Sequence, residues 1–139
     1  MPEMTLPTLE IPAEYLDDMR SALITEVCES AARCNLAETE LRNETRRTRL
    51  PIQVGDRNGA ISVLLEDVTM LNQIQAGHSL TGTAAELVHV LDTASRTWAE
   101  RLNQAYSYAP AAVDEVQPLL DRLRWAVEQT GTLATAIHV

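Results

Sequence analysis

The sequence predicts an all-α protein: an antiparallel four-helix bundle with a long first helix and an extended N-terminal arm. In four long segments most apolar residues recur every three, four or seven positions, which is the period of a helix that buries one face. Apolar and polar residues alternate only briefly, and 52–54 is the one candidate strand. The length of 139 residues with 45% hydrophobic content suits one core. We expect residues 1–12 to form the arm and residues 13–139 a single helical-bundle domain.

The prolines of the N-terminal segment indicate where the arm ends and the first helix begins. Three prolines lie within the first twelve residues, and Pro12 suits the first turn of a helix because its missing N–H needs no partner there. The first helix is predicted over 13–49, and Pro51 is expected to end it. Its apolar face comprises Leu16, Met19, Leu23, Val27, Cys34 and Leu41.

The second helix is predicted after a connector that is rich in turn-forming residues. Residues 50–59 contain Pro, Gly, Asp and Asn, which favour turns. The second helix is then expected over 59–76, and Gly77 is a suitable C-terminal stop. Its apolar face comprises Ile61, Leu64, Leu65, Val68, Leu71 and Ile74.

The last two helices carry clearer local signals. Thr83 and Glu86 match a capping box at the start of the third helix, which should end near Tyr108. The fourth helix is predicted over 111–136, where Pro118 either starts the main helix or kinks it. The third helix has an apolar face of Leu87, Leu91, Ala94, Trp98, Leu102 and Ala105, and the fourth has one of Val113, Val116, Leu120, Leu123, Val127, Ala134 and Ile137.

The charge composition excludes several classes of partner. The net charge is −9, from 20 acidic and 11 basic residues, so we expect no nucleic-acid binding and no binding to anionic membranes. All the basic residues are arginine, which indicates the GC-rich genome of a bacterium or phage. Cys28 and Cys34 lie six positions apart on one helix and cannot pair there. Reduced thiols fit a cytoplasmic protein, which is the location we expect.

One pair of residues resembles half of a metal site. Glu86 and His89 have the Glu-x-x-His spacing that metal-binding helical bundles use. At about 100° per residue, His89 lies roughly 180° and Glu86 roughly 120° from the centre of the apolar face. The capping box already explains Glu86. We therefore predict a solvated His89, no metal, no cofactor, no catalytic residue and no enzymatic activity; a metal-binding bundle with Glu86 and His89 remains an alternative.

Two apolar side chains are predicted to lie away from the core, in contrast with Trp98, the expected core anchor of a chain that has no Phe. Trp125 lies about 170° from the apolar face of the fourth helix, next to Arg122, and Met70 lies far from that of the second. Exposed aromatic residues beside Arg are typical of protein interfaces. Alternatively, the N-terminal arm covers Trp125, or the fourth helix packs on both faces.

The basic residues are concentrated at the end of the predicted first helix. Arg42, Arg46, Arg47 and Arg49 can contact residues 1–41 of a second copy, which contain nine acidic residues and two Arg. We therefore expect a non-catalytic interaction, structural or assembly subunit that acts as a helical homo-oligomer or binds a protein partner. The alternative is an acidic inhibitor or immunity-type protein that masks a basic site on its partner.

Overall fold

A computed structural model describes residues 6–108 and 113–137, and within them it contains four long helices and one small sheet. The predicted all-α helical bundle is confirmed. The elements, in chain order, are β1 (Thr8–Glu10), α1 (Ala13–Asn43), a 3₁₀ turn (Arg47–Arg49), α2 (Leu50–Ala76), β2 (Ser79–Thr81), α3 (Ala84–Tyr108) and α4 (Val113–Ile137).

The first helix is shorter than predicted and the second is longer. α1 ends at Asn43, and the chain is extended at Glu44, whose Oε1 accepts hydrogen bonds from the backbone N and the Nε of Arg46 at 3.0 Å. α2 starts at Leu50 and has Pro51 in its first turn. The prediction that Pro51 ends a helix was wrong because the first turn tolerates a residue without an N–H.

The predicted connector over 50–59 is also wrong, as is the candidate strand at 52–54, because both lie inside α2. Gly55 and Gly59 each cost a helix about 1 kcal/mol relative to alanine. Neither residue has an atom within 4 Å of the place where a Cβ would lie, so close packing does not demand glycine there. The helix forms in spite of these residues, and it ends before Gly77 as predicted.

The described part of the N-terminal arm docks on the bundle, because β1 pairs with the segment between α2 and α3. β1 and β2 are antiparallel, with Leu9 opposite Leu80, and both leucines are buried. Just after β1, the backbone N of Ile11 donates to the carbonyl oxygen of His78 at 2.9 Å. Strands of three residues carry too little alternation to be predicted from sequence, so this sheet was missed.

Two helical hairpins, α1–α2 and α3–α4, pack around a core that is centred on Trp98. Trp98 is fully buried, as predicted. The capping box is also confirmed, because the backbone N of Thr83 donates to Glu86 Oε1 at 3.0 Å and that of Glu86 donates to Thr83 Oγ1 at 3.1 Å. α4 begins at Val113, so Pro118 lies within it rather than starting it.

The α1–α2 hairpin is buried at one end only. α1 and α2 have 31 and 27 residues, so they are about 46 and 40 Å long. Of residues 31–66, all of which the structure describes, only Ala37 is buried. We call these residues the hairpin tip. The opposite half of the hairpin, which includes Met19 and Ile74, forms the core together with α3 and α4.

Candidate functional site

A buried group of polar side chains lies where α1, α2 and α3 meet. Glu26 and Ser30 of α1 are buried, and Asp67 of α2 is only 1% exposed. His89 of α3 is half-buried, with Nε2 at 3.0 Å from Asp67 Oδ1 and 3.9 Å from Glu26 Oε1. Ser30 donates its hydroxyl to Asp67 Oδ2. We call these four residues the polar cluster.

The prediction of a solvated His89 was therefore wrong, because its ring is half-buried beside Asp67 and Glu26. α3 packs on α4 with one side and on α1 with another, so its buried arc is wider than its apolar face. Thr93, one turn after His89, is buried too. His89 lies at the edge of this wider arc, where Asp67 and Glu26 reach it.

Two arginines complete the electrostatic balance of the polar cluster. Arg33 Nη2 donates to Glu26 Oε1 at 3.1 Å and to the Ser30 hydroxyl at 2.9 Å. Arg96 Nη2 lies 3.9 Å from Glu26 Oε2. Buried carboxylates need such partners, because an unpaired charge away from water is costly. The two guanidinium groups offset part of the charge of Glu26 and Asp67, although Arg96 Nε also pairs with Asp92 Oδ2 at 3.3 Å.

The polar cluster contains the only grouping of possible metal ligands found among the described residues. One ligand atom each from Glu26, Asp67 and His89 lie within 4.8 Å of one another, and carboxylate and imidazole groups suit several divalent metals. However, Glu26 Oε1, the oxygen of Glu26 that lies 3.9 Å from His89 Nε2, already accepts a hydrogen bond from Arg33. The arrangement supports a structural network better than an ion site.

The pair considered from sequence, Glu86 with His89, does not form a site. Glu86 is held by the backbone of Thr83 at the start of α3, whereas His89 contacts Asp67. Of the remaining histidines, His78 is exposed beside Glu10, and His138 lies outside the described residues.

A second charged group lies at the other end of the core. Asp18 Oδ2 accepts hydrogen bonds from Trp98 Nε1 and Arg122 Nε, both at 3.1 Å, and Arg101 Nη1 lies 3.1 Å from Oδ1. Burial alone would raise the pKa of Asp18, but the hydrogen bonds from Trp98 and Arg101 and the charges of Arg101 and Arg122 outweigh it. The pKa is therefore below its ordinary value. This group ties α1 to α3 and α4.

Three of the predicted interface residues, Met70, Trp125 and Arg122, are less exposed than expected, and the Arg122 side chain is only 20% exposed. Met70 is 3% exposed and belongs to the core. Trp125 is half-buried, with its ring 5.3 Å from that of Tyr15 and 6.5 Å from that of Trp98, centroid to centroid. Arg122 lies over the Tyr15 ring at 4.9 Å. The prediction that Trp125 and Met70 are exposed was wrong. Tyr15 of α1 covers Trp125, and the hydrophobic core encloses Met70.

The predicted basic residues lie in the hairpin tip, at the end of α1 and in the connection between α1 and α2. Arg42, Arg46, Arg47 and Arg49 are all exposed. Arg42 pairs with Glu38 at 3.3 Å and Arg46 with Glu44 at 3.0 Å. The four arginines are therefore accessible, whereas Met70 and Trp125 are covered by other parts of the chain.

The largest concentration of exposed apolar side chains was missed by the sequence analysis, and it also lies in the hairpin tip. Seven large hydrophobic residues are exposed there: Leu36, Leu50, Ile52, Val54, Ile61, Val63 and Leu65. At about 100° per residue, Leu50, Val54, Ile61 and Leu65 fall within roughly 60° of one another on α2. We call these four residues the α2 stripe. Ile61 and Leu65 were assigned to a buried face, yet Leu65 is 62% exposed.

Comparison of the chain with models of known protein families, with curated proteins and with solved structures finds no match. None of the helices in the described ranges has an apolar stretch that is long enough to cross a membrane.

Proposed function

We propose that this protein is a non-catalytic helical subunit that self-associates through its hairpin tip. The observation that carries the proposal is the α2 stripe, in which four large aliphatic side chains share one exposed face of α2. A helix with an apolar face is normally stabilised by packing that face against another element. Exposed apolar patches of this kind are typical of interaction sites.

The position of the α2 stripe also supports an intermolecular role. The tip is a two-helix unit, and only Ala37 is buried in it. Polar side chains occupy the contact between its own helices: Arg57 Nη1 lies 3.7 Å from Glu38 Oε2, and the buried Gln53 Oε1 and Arg57 Nε atoms have no hydrogen-bond partner. A unit with so little apolar packing of its own gains stability when a further layer covers the stripe.

The distribution of charge favours a second copy of the chain over a basic partner. The tip carries the exposed group Arg42, Arg46, Arg47 and Arg49, although the net charge of the chain is −9. A basic partner would be repelled by this group, whereas a second copy offers both signs of charge. Opposite charges around an apolar contact favour the correct partner and orientation.

Light scattering after size-exclusion chromatography, over a wide range of protein concentration, tests this proposal. We expect the wild-type chain to reach at least twice the monomer mass at high concentration. Leu65→Glu should stay monomeric, because fully burying a leucine contributes about 1.5–3 kcal/mol and each 1.4 kcal/mol changes the dissociation constant about tenfold.

The matched control is Val127→Glu, which places the same charge at an equally aliphatic position on α4 that is 71% exposed and outside the tip. We expect this variant to associate like the wild type, and circular dichroism should show full helicity for both variants. A wild-type chain that is monomeric at every concentration would refute the proposal. If Leu65→Glu and Val127→Glu reduce self-association to the same extent, the hairpin tip is not the specific interface.

A further inference from the structure

We propose that the second copy binds antiparallel along α2, about a two-fold axis that passes between residues 57 and 58. This inference rests on the proposed self-association and specifies its geometry. When the segment 50–65 is reversed end for end, Leu50 falls on Leu65 and Val54 falls on Ile61. All four members of the α2 stripe are exposed, so the stripe is complementary to its own reversed copy.

Such self-complementarity is what a two-fold interface requires. In a two-fold dimer the same patch serves both copies, and each contact occurs twice. An antiparallel pair of α2 helices centred between residues 57 and 58 makes the contacts Leu50–Leu65 and Val54–Ile61, each in duplicate. A parallel pair would instead place Val54 on Val54, and it cannot be generated by a two-fold axis perpendicular to the helices.

Cysteine cross-linking tests the geometry. In a Cys28→Ser/Cys34→Ser background, Val54→Cys and Ile61→Cys chains are prepared separately and first shown by light scattering to form dimers when reduced. After mixing and mild oxidation, we expect a 54–61 disulfide, identified by mass spectrometry of the linked peptides. Disulfides require Cα atoms within about 7 Å.

The Val54→Cys chain alone is the matched control. We expect little cross-linking of it, because positions 54 and 61 are about 10 Å apart along the helix and the two copies of position 54 are separated by that offset. A second pair, Leu50→Cys with Leu65→Cys, repeats the test at the ends of the stripe.

The outcomes separate the geometry from the proposed function. Cross-linking of the Val54→Cys chain with itself as efficiently as the mixture would overturn the antiparallel arrangement. Dimers that yield no cross-link at either pair would also overturn it, and the proposed self-association would stand. Monomers at every concentration, for the wild-type chain as for the cysteine variants, would overturn both.

Discussion

The two ends of the α1–α2 hairpin differ in what covers their apolar faces. At the core end, Met19, Leu23 and Ile74 are fully buried against α3, α4 and the small sheet. At the hairpin tip, aliphatic residues such as Ile61 and Leu65 lie on the same helices but remain exposed. Helical periodicity thus identifies an apolar face. Whether that face is buried depends on how far the α3–α4 hairpin extends along α1 and α2.

The largest effect is expected from a cavity at the core end. Trp98→Ala should lower the free energy of unfolding by about 3–5 kcal/mol, because the fully buried indole is replaced by a void. Leu36→Ala, at a tip residue that is 60% exposed, should change it by less than about 0.5 kcal/mol. Urea denaturation at one protein concentration measures both. Equal losses would contradict the difference between the two ends.

A smaller loss is expected from the polar cluster, which lies where the core end meets the tip. Asp67→Ala leaves the Ser30 hydroxyl and His89 Nε2 without their partner and should cost about 1–3 kcal/mol, the usual penalty for an unsatisfied buried polar group. Asp67→Asn keeps an oxygen acceptor at the same place and should lose less. Thermal unfolding of the two variants distinguishes them, and an unchanged melting temperature for Asp67→Ala would show that the network is not needed.

The smallest effect is a pH dependence at Asp18. Because the pKa of this carboxyl is lower in the folded protein than its ordinary value of 3.8, the unfolded chain takes up the proton first. Its contribution to stability is therefore present above about pH 4 and is lost as the pH falls from there through the folded-state pKa.

The comparison of Asp18→Asn with Asp17→Asn isolates this contribution. Asp17 is the adjacent residue, and its side chain is 98% exposed. The free energy of unfolding is measured by urea denaturation at each pH, starting from about pH 5, which lies above the range in which Asp titrates. Between this pH and strongly acidic pH, Asp18→Asn should lose less stability than the wild type. Asp17→Asn should follow the wild type. Identical pH profiles for all three chains would show that Asp18 makes no such contribution.

The features that could be predicted from sequence are those set by neighbouring residues. The capping box of Thr83 and Glu86 and the stop at Gly77 use side chains within one turn of a helix end, so their positions were predicted correctly. Trp98 was identified as the core anchor because it continues the regular apolar face of α3. Pro51 was misread because proline is common both just after one helix and in the first turn of the next.

The features that were missed depend on contacts between distant parts of the chain. β1 pairs with a segment about seventy residues later, and Trp125 is covered by Tyr15 of α1. The polar cluster left a trace in the sequence, because Ser30 lies seven positions after Leu23, on the same side of α1, where a polar residue is unexpected. If Ser30 and Asp67 had been identified as buried polar residues, hydrogen-bonding partners would have been expected for them. The sequence does not indicate that His89 is one of these partners.

Hydrogen exchange measured at low and high protein concentration tests most directly whether the hairpin tip is the surface of self-association. We expect backbone amides of residues 50–65 to become more protected as the concentration rises, because the second copy covers the α2 stripe and opposes local opening. Amides of α3 around Trp98 should exchange at the same rate throughout. Exchange in 50–65 that does not change with concentration, while the mass of the particle does, would show that the copies meet at another surface.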